Sequence, residues 1–461
     1  MTTDPGVSNA DESRRQQRAW YVYDWANSAF LTTTLTVLLG PYLTVLAKRD
    51  ACPGQDTDLA CDTSLHVLGV PVSPGSLSLY TVTFATLFSA LLLPLVGALA
   101  DRSGRKRSML AYFAWTGSAA GAAMVFLSGD NWQLGVALQL IATLAYACSI
   151  VVYDSLLIDV AGPDERDRVS SRGWAIGYVG GTLLLVVNLV LVTAHDAVGL
   201  STEGAVRLNL LLAGLWWGLF TIVPYRRLRD RPPVDPVDPV SAGAASGARA
   251  AFRQLGDTLR HLRGYPQTMA FLIAYLVFND GIQTIIYASG IYAQEQLGLS
   301  SDQLILAILI VQFVAVIGAL SFGRIAARTG AYATVRASLV VWCGVIGIGY
   351  FLPHGQFLPF AFLAALIGLT LGGTQALSRS LYSHLIPRGR EAEYFSLYAA
   401  CERGTSWLGT LAFGLTFQLT HSYRYAIIVL IAFFVVGGLL LNRVNVGKGI
   451  TQAGNPVPAV I

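Results

Sequence analysis

The chain has 461 residues, of which 54% are hydrophobic and 13% charged, with a formal net charge of +4. Soluble proteins carry about 25% charged residues, so this composition excludes an ordinary soluble enzyme, a disordered protein and a nucleic-acid binder. Long apolar runs recur along the whole chain and leave a polytopic helical membrane protein, not a barrel of alternating strands.

A spanning helix needs about 20 mainly apolar residues. Twelve such runs occur, at 21–46, 77–99, 108–128, 132–158, 173–194, 206–224, 267–292, 303–325, 332–352, 356–380, 396–419 and 424–442. The first follows a charged segment and precedes no small-residue cleavage site, so it does not read as a removable signal peptide. Basic residues before the first span, and after the second, fourth, sixth, eighth, tenth and twelfth, fall on one side of a twelve-span chain. Only Lys48, Arg49, Arg207 and Arg424 fall on the other. The positive-inside rule then places both termini in the cytoplasm and the spans in the plasma (inner) membrane.

Cys52 and Cys61 share a polar loop that this topology turns outward, which makes them a disulfide candidate. Cys148, Cys343 and Cys401 lie in apolar runs and read as packing residues. No spacing suggests a metal site or a cofactor.

The chain divides into residues 1–224, a polar segment at 225–266 and residues 267–461. Within the polar segment, RPPVDPVDPVSAGAASGARA reads as a flexible linker. Phe252, Leu255, Leu259 and Leu262 then recur at helical spacing with arginines between them. That is a short basic amphipathic helix, lying on the inner membrane face or packed under the protein. The outer two parts repeat one another. GALADRSGRKR at 97–107 returns as GRIAARTGAYA at 323–333, with Ala327 in place of Asp101. The expected fold is all-α, twelve transmembrane helices in two six-helix pseudo-repeats.

The loop after span two carries Gly97, Asp101, Arg102, Gly104 and Arg105, matching the G-x-x-x-D-R-x-G-R-[KR] signature of the major facilitator superfamily. Gly97 permits close helix contact and Gly104 a tight turn. Asp101 can cap a neighbouring helix and pair with an arginine, which makes the loop a candidate cytoplasmic latch.

Ionisable groups within spans are costly and therefore candidates for function. Asp24 and Asn27 share an arc of span one, where Asp24 reads as a gate residue pairing with Arg172 or another cation, or as a substrate contact. Span seven carries the stripe Asn279, Asp280, Gln283 and Tyr287, with Asp280 about 21 Å along the helix at 1.5 Å per residue. A carboxylic acid at that depth is paired or protonated, which makes Asp280 the first candidate for proton coupling, with Glu402 of span eleven the second. Tyr146 and Tyr153 of span four wall the expected cavity. Gln375 and Arg379 lie on one arc of span ten, and Arg379 reads as reaching the surface in preference to binding a carboxylate.

YDWANSAF in span one, SSRGWAIGYVGG in span five, NDGIQTI in span seven and GGTQALSRSL with IPRGREAEYFSLY around span ten resemble the vacuolar amino-acid effluxer family linked to autophagy in fungi, with its bacterial relatives. The resemblance implies amino-acid export, and it falls on Asp24, Asn27, Asn279, Asp280, Gln283, Gln375 and Arg379. Thr410 and Glu402 depart from the family pattern in span eleven.

The expectation is therefore a secondary transporter, not an enzyme. It exports amino acids by alternating access with proton coupling, as a monomer in the lipid bilayer whose partners are a small-molecule substrate and protons. The alternatives are an exporter of another small solute, and a non-transporting receptor or scaffold.

Overall fold

The structure is a computed structural model that describes residues 5–57, 61, 63–67, 69–232, 256–403 and 407–461. The linker from residue 233 onward and the first half of the amphipathic helix lie outside these residues. Among the described residues, eleven helices are long and apolar enough to cross a membrane. In the first half these are Asp11–Ala51, Pro74–Ser103, Lys106–Phe126, Trp132–Val160, Pro163–Thr193 and Thr202–Arg227. In the second they are Pro266–Gln296, Asp302–Thr329, Ala331–Tyr350, Phe357–His384 and Tyr423–Asn442. The twelfth position, span eleven, is taken by two shorter helices, Glu391–Arg403 and Trp407–Thr420. The architecture is the twelve-helix, two-repeat fold expected.

Each half has its own apolar core, because lipid gives helices no hydrophobic reason to associate and close packing must hold them. In the first half, Phe30 stacks on Trp217 with ring centroids 4.7 Å apart, and Trp217 fills the space left by Gly117 of span three. In the second, Trp342 stacks on Phe434 at 5.6 Å. Span one is not a uniform α-helix: residues Leu31–Leu38 form a π-helical stretch, which turns Thr32, Thr33 and Thr34 inward. Such wide turns inside α-helices gather at functional positions.

The basic loops, the N-terminal segment and the C-terminal tail lie on one face. Arg229 after span six pairs with Glu12 at 3.1 Å, and the Ala459 N–H donates to Asp164 at 2.8 Å. The described end of the amphipathic helix is packed under the protein, with Leu262 buried and Thr258 donating to Glu393. On the opposite face, Cys52 and Cys61 form a disulfide, and strands Leu65–Val67 and Val70–Val72 make a small antiparallel hairpin.

Candidate functional site

The two halves meet from mid-span to the basic face. Nearest that face, Gly97 brings span two against the start of span eleven so closely that a Cβ there would lie 2.4 Å from the Ala392 carbonyl oxygen. Gly104 ends span two in the left-handed region, at φ 59°. The turn aims Asp101 at the next helix N-terminus: its two oxygens accept from the N–H groups of Ala392 (3.0 Å) and Glu393 (2.9 Å). This meets a need, since the first N–H groups of a helix have no partner within it.

The cation paired with Asp101 is not an arginine. Lys106 lies 3.0 Å from Asp101 and 3.2 Å from Glu391, bridging the halves. Arg102 and Arg105 project outward, so the sequence reading that placed them in the latch is corrected. Arg102 and Arg105 flank the turn at Gly104 on its exposed side, whereas Lys106 begins the span-three helix against the interface. Burial opposes ionisation of Glu391, but Lys106 and the Gly389 N–H prevail and hold its carboxyl below the ordinary value. In the pseudo-symmetric position, Gly323 of span eight packs against Ser171 of span five, where a Cβ would lie 2.7 Å away.

Deeper in the membrane lies a buried charge cluster. Arg379 of span ten is 3% exposed and does not reach the surface, contrary to the preferred sequence reading. Its Nη1 donates to Asp154 of span four at 3.0 Å, and its Nε to Ser170 of span five at 3.0 Å. Its Nη2 donates to the Ser170 carbonyl at 3.1 Å and lies 3.6 Å from Asp24. The guanidinium also lies over Trp20 at 4.9 Å, Trp174 at 5.4 Å and Tyr153 at 5.6 Å. Two carboxylates and three aromatic rings compensate the desolvation that would otherwise drive an arginine outward.

Asp24 faces Arg379, a cation other than Arg172 as its gate reading allows, and accepts from the Tyr153 hydroxyl at 2.7 Å. Tyr153 stacks on Trp20 at 4.4 Å, so it belongs to the cluster and not to a cavity wall. Tyr146 packs edge-on to Trp217 in the first-half core. Asn27 spends its amide on the Tyr23 carbonyl of its own helix, at 2.9 Å. Asp154 follows Tyr153 by one residue and so points to a different side of span four. Arg379, 225 positions away, makes it part of the interface.

Span seven presents a second buried group. Gln375 donates to Asn279 at 2.8 Å, Asn279 to the Glu402 carbonyl at 3.2 Å, and Tyr275 to Gln375 at 3.3 Å. Beside this chain, Oδ2 of Asp280 accepts from the Gly409 N–H at 2.7 Å. Its Oδ1 is buried with no hydrogen-bond partner among the described residues. Span eleven approaches here because Gly409 has no side chain: a Cβ would lie 2.1 Å from the Thr284 hydroxyl. Gln283 is partly buried, Tyr287 is 54% exposed and Glu402 is half-buried. At mid-span the halves also touch through Gln312, which donates to Thr32 at 3.2 Å, a contact the sequence signals only through the polar TTT run.

These features sit in a chain matched by the family model "Vacuole effluxer Atg22 like" over residues 12–166 and 160–454. The chain belongs to that Atg22-like family. It is 28% identical over 449 residues to "Uncharacterized MFS-type transporter YxiO" of Bacillus subtilis, covering 96% of this chain and 98% of that protein. It is 27% identical over 476 residues to "Autophagy-related protein 22" of Eremothecium gossypii, covering 96% and 93%. A bacterial homologue of the iron transporter ferroportin, crystallised in an outward-facing state, matches the fold with TM-score 0.65 at 14% identity, over 94% of this chain and 98% of that one. The proton:xylose symporter XylE matches with TM-score 0.65 at 13% identity, over 94% and 95%. This member of the Atg22-like family is thus a transporter of the major facilitator superfamily and not an enzyme.

Proposed function

We propose that this Atg22-like transporter exports amino acids by alternating access, driven by protons, with its basic face in the cytoplasm of the plasma membrane. The observation that carries the reading is Asp280. It is a mid-span carboxylate of the second half with one oxygen held by the Gly409 N–H and, among the described residues, no partner for the other and no ion pair. A buried carboxylate with an open oxygen is unstable as a bare anion. It is relieved by a proton or by the ammonium group of a cargo, and competition between the two couples their movements.

The inter-half contacts supply the gate. Asp101, Lys106 and Glu391 form its outer layer, and Arg379 with Asp24 and Asp154 its inner layer. A gate must be bistable, and each layer is assembled from groups on both halves that come apart together. Asn279, Gln283 and Gln375 offer amides that orient a zwitterion, and Tyr287 offers an aromatic face at the more open end. The effluxer name of the family supports export, and the distribution of arginines supports the orientation.

The test is flux in proteoliposomes with an imposed pH gradient, across a panel of amino acids, sugars and organic ions. Gradient-dependent movement of amino acids is expected. Movement of only sugars or organic ions contradicts the substrate class, and movement of nothing contradicts transport.

A further inference from the structure

A pocket of about 490 Å³ opens at the basic face, lined on one side by Asp101, Lys106 and Glu391 of the outer gate layer. Separate parts of the chain wall it: the N-terminal segment, the loop after span two, the end of span four, the start of span five, the segment after span six, the loop before span eleven and the C-terminal tail at Asn455 and Pro456. Its size suits a small-molecule ligand. Its acids are already matched. Asp101 and Glu391 share Lys106, and Asp159 lies 3.4 Å from Arg231. Arg229 at the rim is paired with Glu12.

Two arginines are left over. Arg166, in the first turn of the span-five helix after Pro163, is 5% exposed. Its Nη1 donates to the Ser383 carbonyl at 3.1 Å, but its Nε has no partner. No carboxylate lies within ion-pair distance of Arg166 or of Arg388 in the facing half, among the described residues. Glu391, Asp159 and Asp167 act on Arg166 only from beyond ion-pair distance, and the like charge of Arg388 acts against them. A buried donor without an acceptor is costly, and two unmatched guanidinium groups facing one cavity fit a tetrahedral oxyanion.

We propose that this pocket binds a phosphate group and that the bound anion holds the basic face closed. Arg166 belongs to the first half and Arg388 to the second, so the site is complete only while the halves are together. A ligand that binds one state alone shifts the population toward it. The phosphate comes from a lipid headgroup at the membrane surface or from a soluble phosphate. The chemistry of recognition is the same for both.

The experiment measures thermal stability of the purified full chain, and amide hydrogen exchange across residues 391–403, at constant ionic strength. The probes are inorganic phosphate against chloride in detergent, and nanodiscs of phosphatidylcholine with or without phosphatidylglycerol. Phosphate or phosphatidylglycerol should raise the melting temperature by several degrees and slow exchange at 391–403. A response to inorganic phosphate identifies a soluble ligand, and a response to phosphatidylglycerol alone a headgroup. Arg388→Gln, at an exposed position that threatens no fold, should weaken the response roughly tenfold, as loss of one charge-assisted contact does. Arg166→Gln should do the same, and Arg166→Lys should recover part of it. No response to either probe overturns the proposal. So does an equal response in wild type and Arg388→Gln, which would mark an adventitious ion only.

Discussion

Arg379 of span ten lies 3.0 Å from Asp154 of span four, so a cation in the second half neutralises an acid in the first, inside the membrane. Asp24 stands 3.6 Å from the same guanidinium. Removing one partner of a buried ion cluster leaves uncompensated charge, at a cost of about 3–5 kcal/mol. Arg379→Met should therefore lower the melting temperature sharply. Adding Asp24→Asn and Asp154→Asn should restore most of the loss, because no bare carboxylate is then left. A triple variant as unstable as Arg379→Met would show that the arginine acts by shape and not by charge.

The contact between spans two and eleven should control opening of the basic face. Gly97→Val places a methyl-bearing carbon where the Ala392 carbonyl stands, and Asp101→Asn weakens the cap on the span-eleven helix. Loss of such a cap costs about 1–2 kcal/mol, which is roughly a five- to thirtyfold shift in the open fraction. Ala376→Cys, at a position fully buried in the closed face, reports this opening through its rate of maleimide labelling. Both variants should label faster, whereas Arg102→Gln and Arg105→Gln should not.

The Lys106–Glu391 pair should respond to acid in one direction only. Glu391 is held below its ordinary value of 4.5 while the halves are together. Its contribution to closure is therefore full above that value and is lost as pH falls through the lowered one. The difference in labelling between wild type and Glu391→Gln should persist at neutral and mildly acid pH and vanish in strong acid. A difference that persists unchanged into strong acid, where glutamic acid and glutamine are alike uncharged, would refute the pairing.

The disulfide between Cys52 and Cys61 closes a short loop with a sequence separation of 9. Chain-entropy arguments give a loop of that size about 2–3 kcal/mol. Cys52→Ser should lower the melting temperature, and a reducing agent should lower that of wild type to match while leaving the variant unchanged. A reducing agent that lowers both equally would assign the effect elsewhere.

The spans were legible because hydrocarbon imposes a length and an apolar composition on every crossing. The loop after span two was legible because a turn between closely packed helices needs Gly97 and Gly104 at fixed offsets. Partners across the halves were not. Arg379 sits five residues from the end of its helix, close enough to snorkel, and nothing local to it reveals Asp154 or Asp24. Likewise a run of four cations does not say which one turns inward, and Lys106 does so only because it begins the next helix. The inward set of Thr32 to Thr34 depends on a π-helical stretch that the regular 3.6-residue period does not anticipate.

The most direct test of the account is amino-acid flux in proteoliposomes carrying Asp280→Asn, compared with wild type under a pH gradient and without one. Asparagine preserves the size of the side chain and its bond from the Gly409 N–H, but cannot take up and release the proton. The account predicts that gradient-driven accumulation is lost while exchange of amino acid across the membrane without a gradient continues. Gradient-driven flux at the wild-type rate in Asp280→Asn would contradict it.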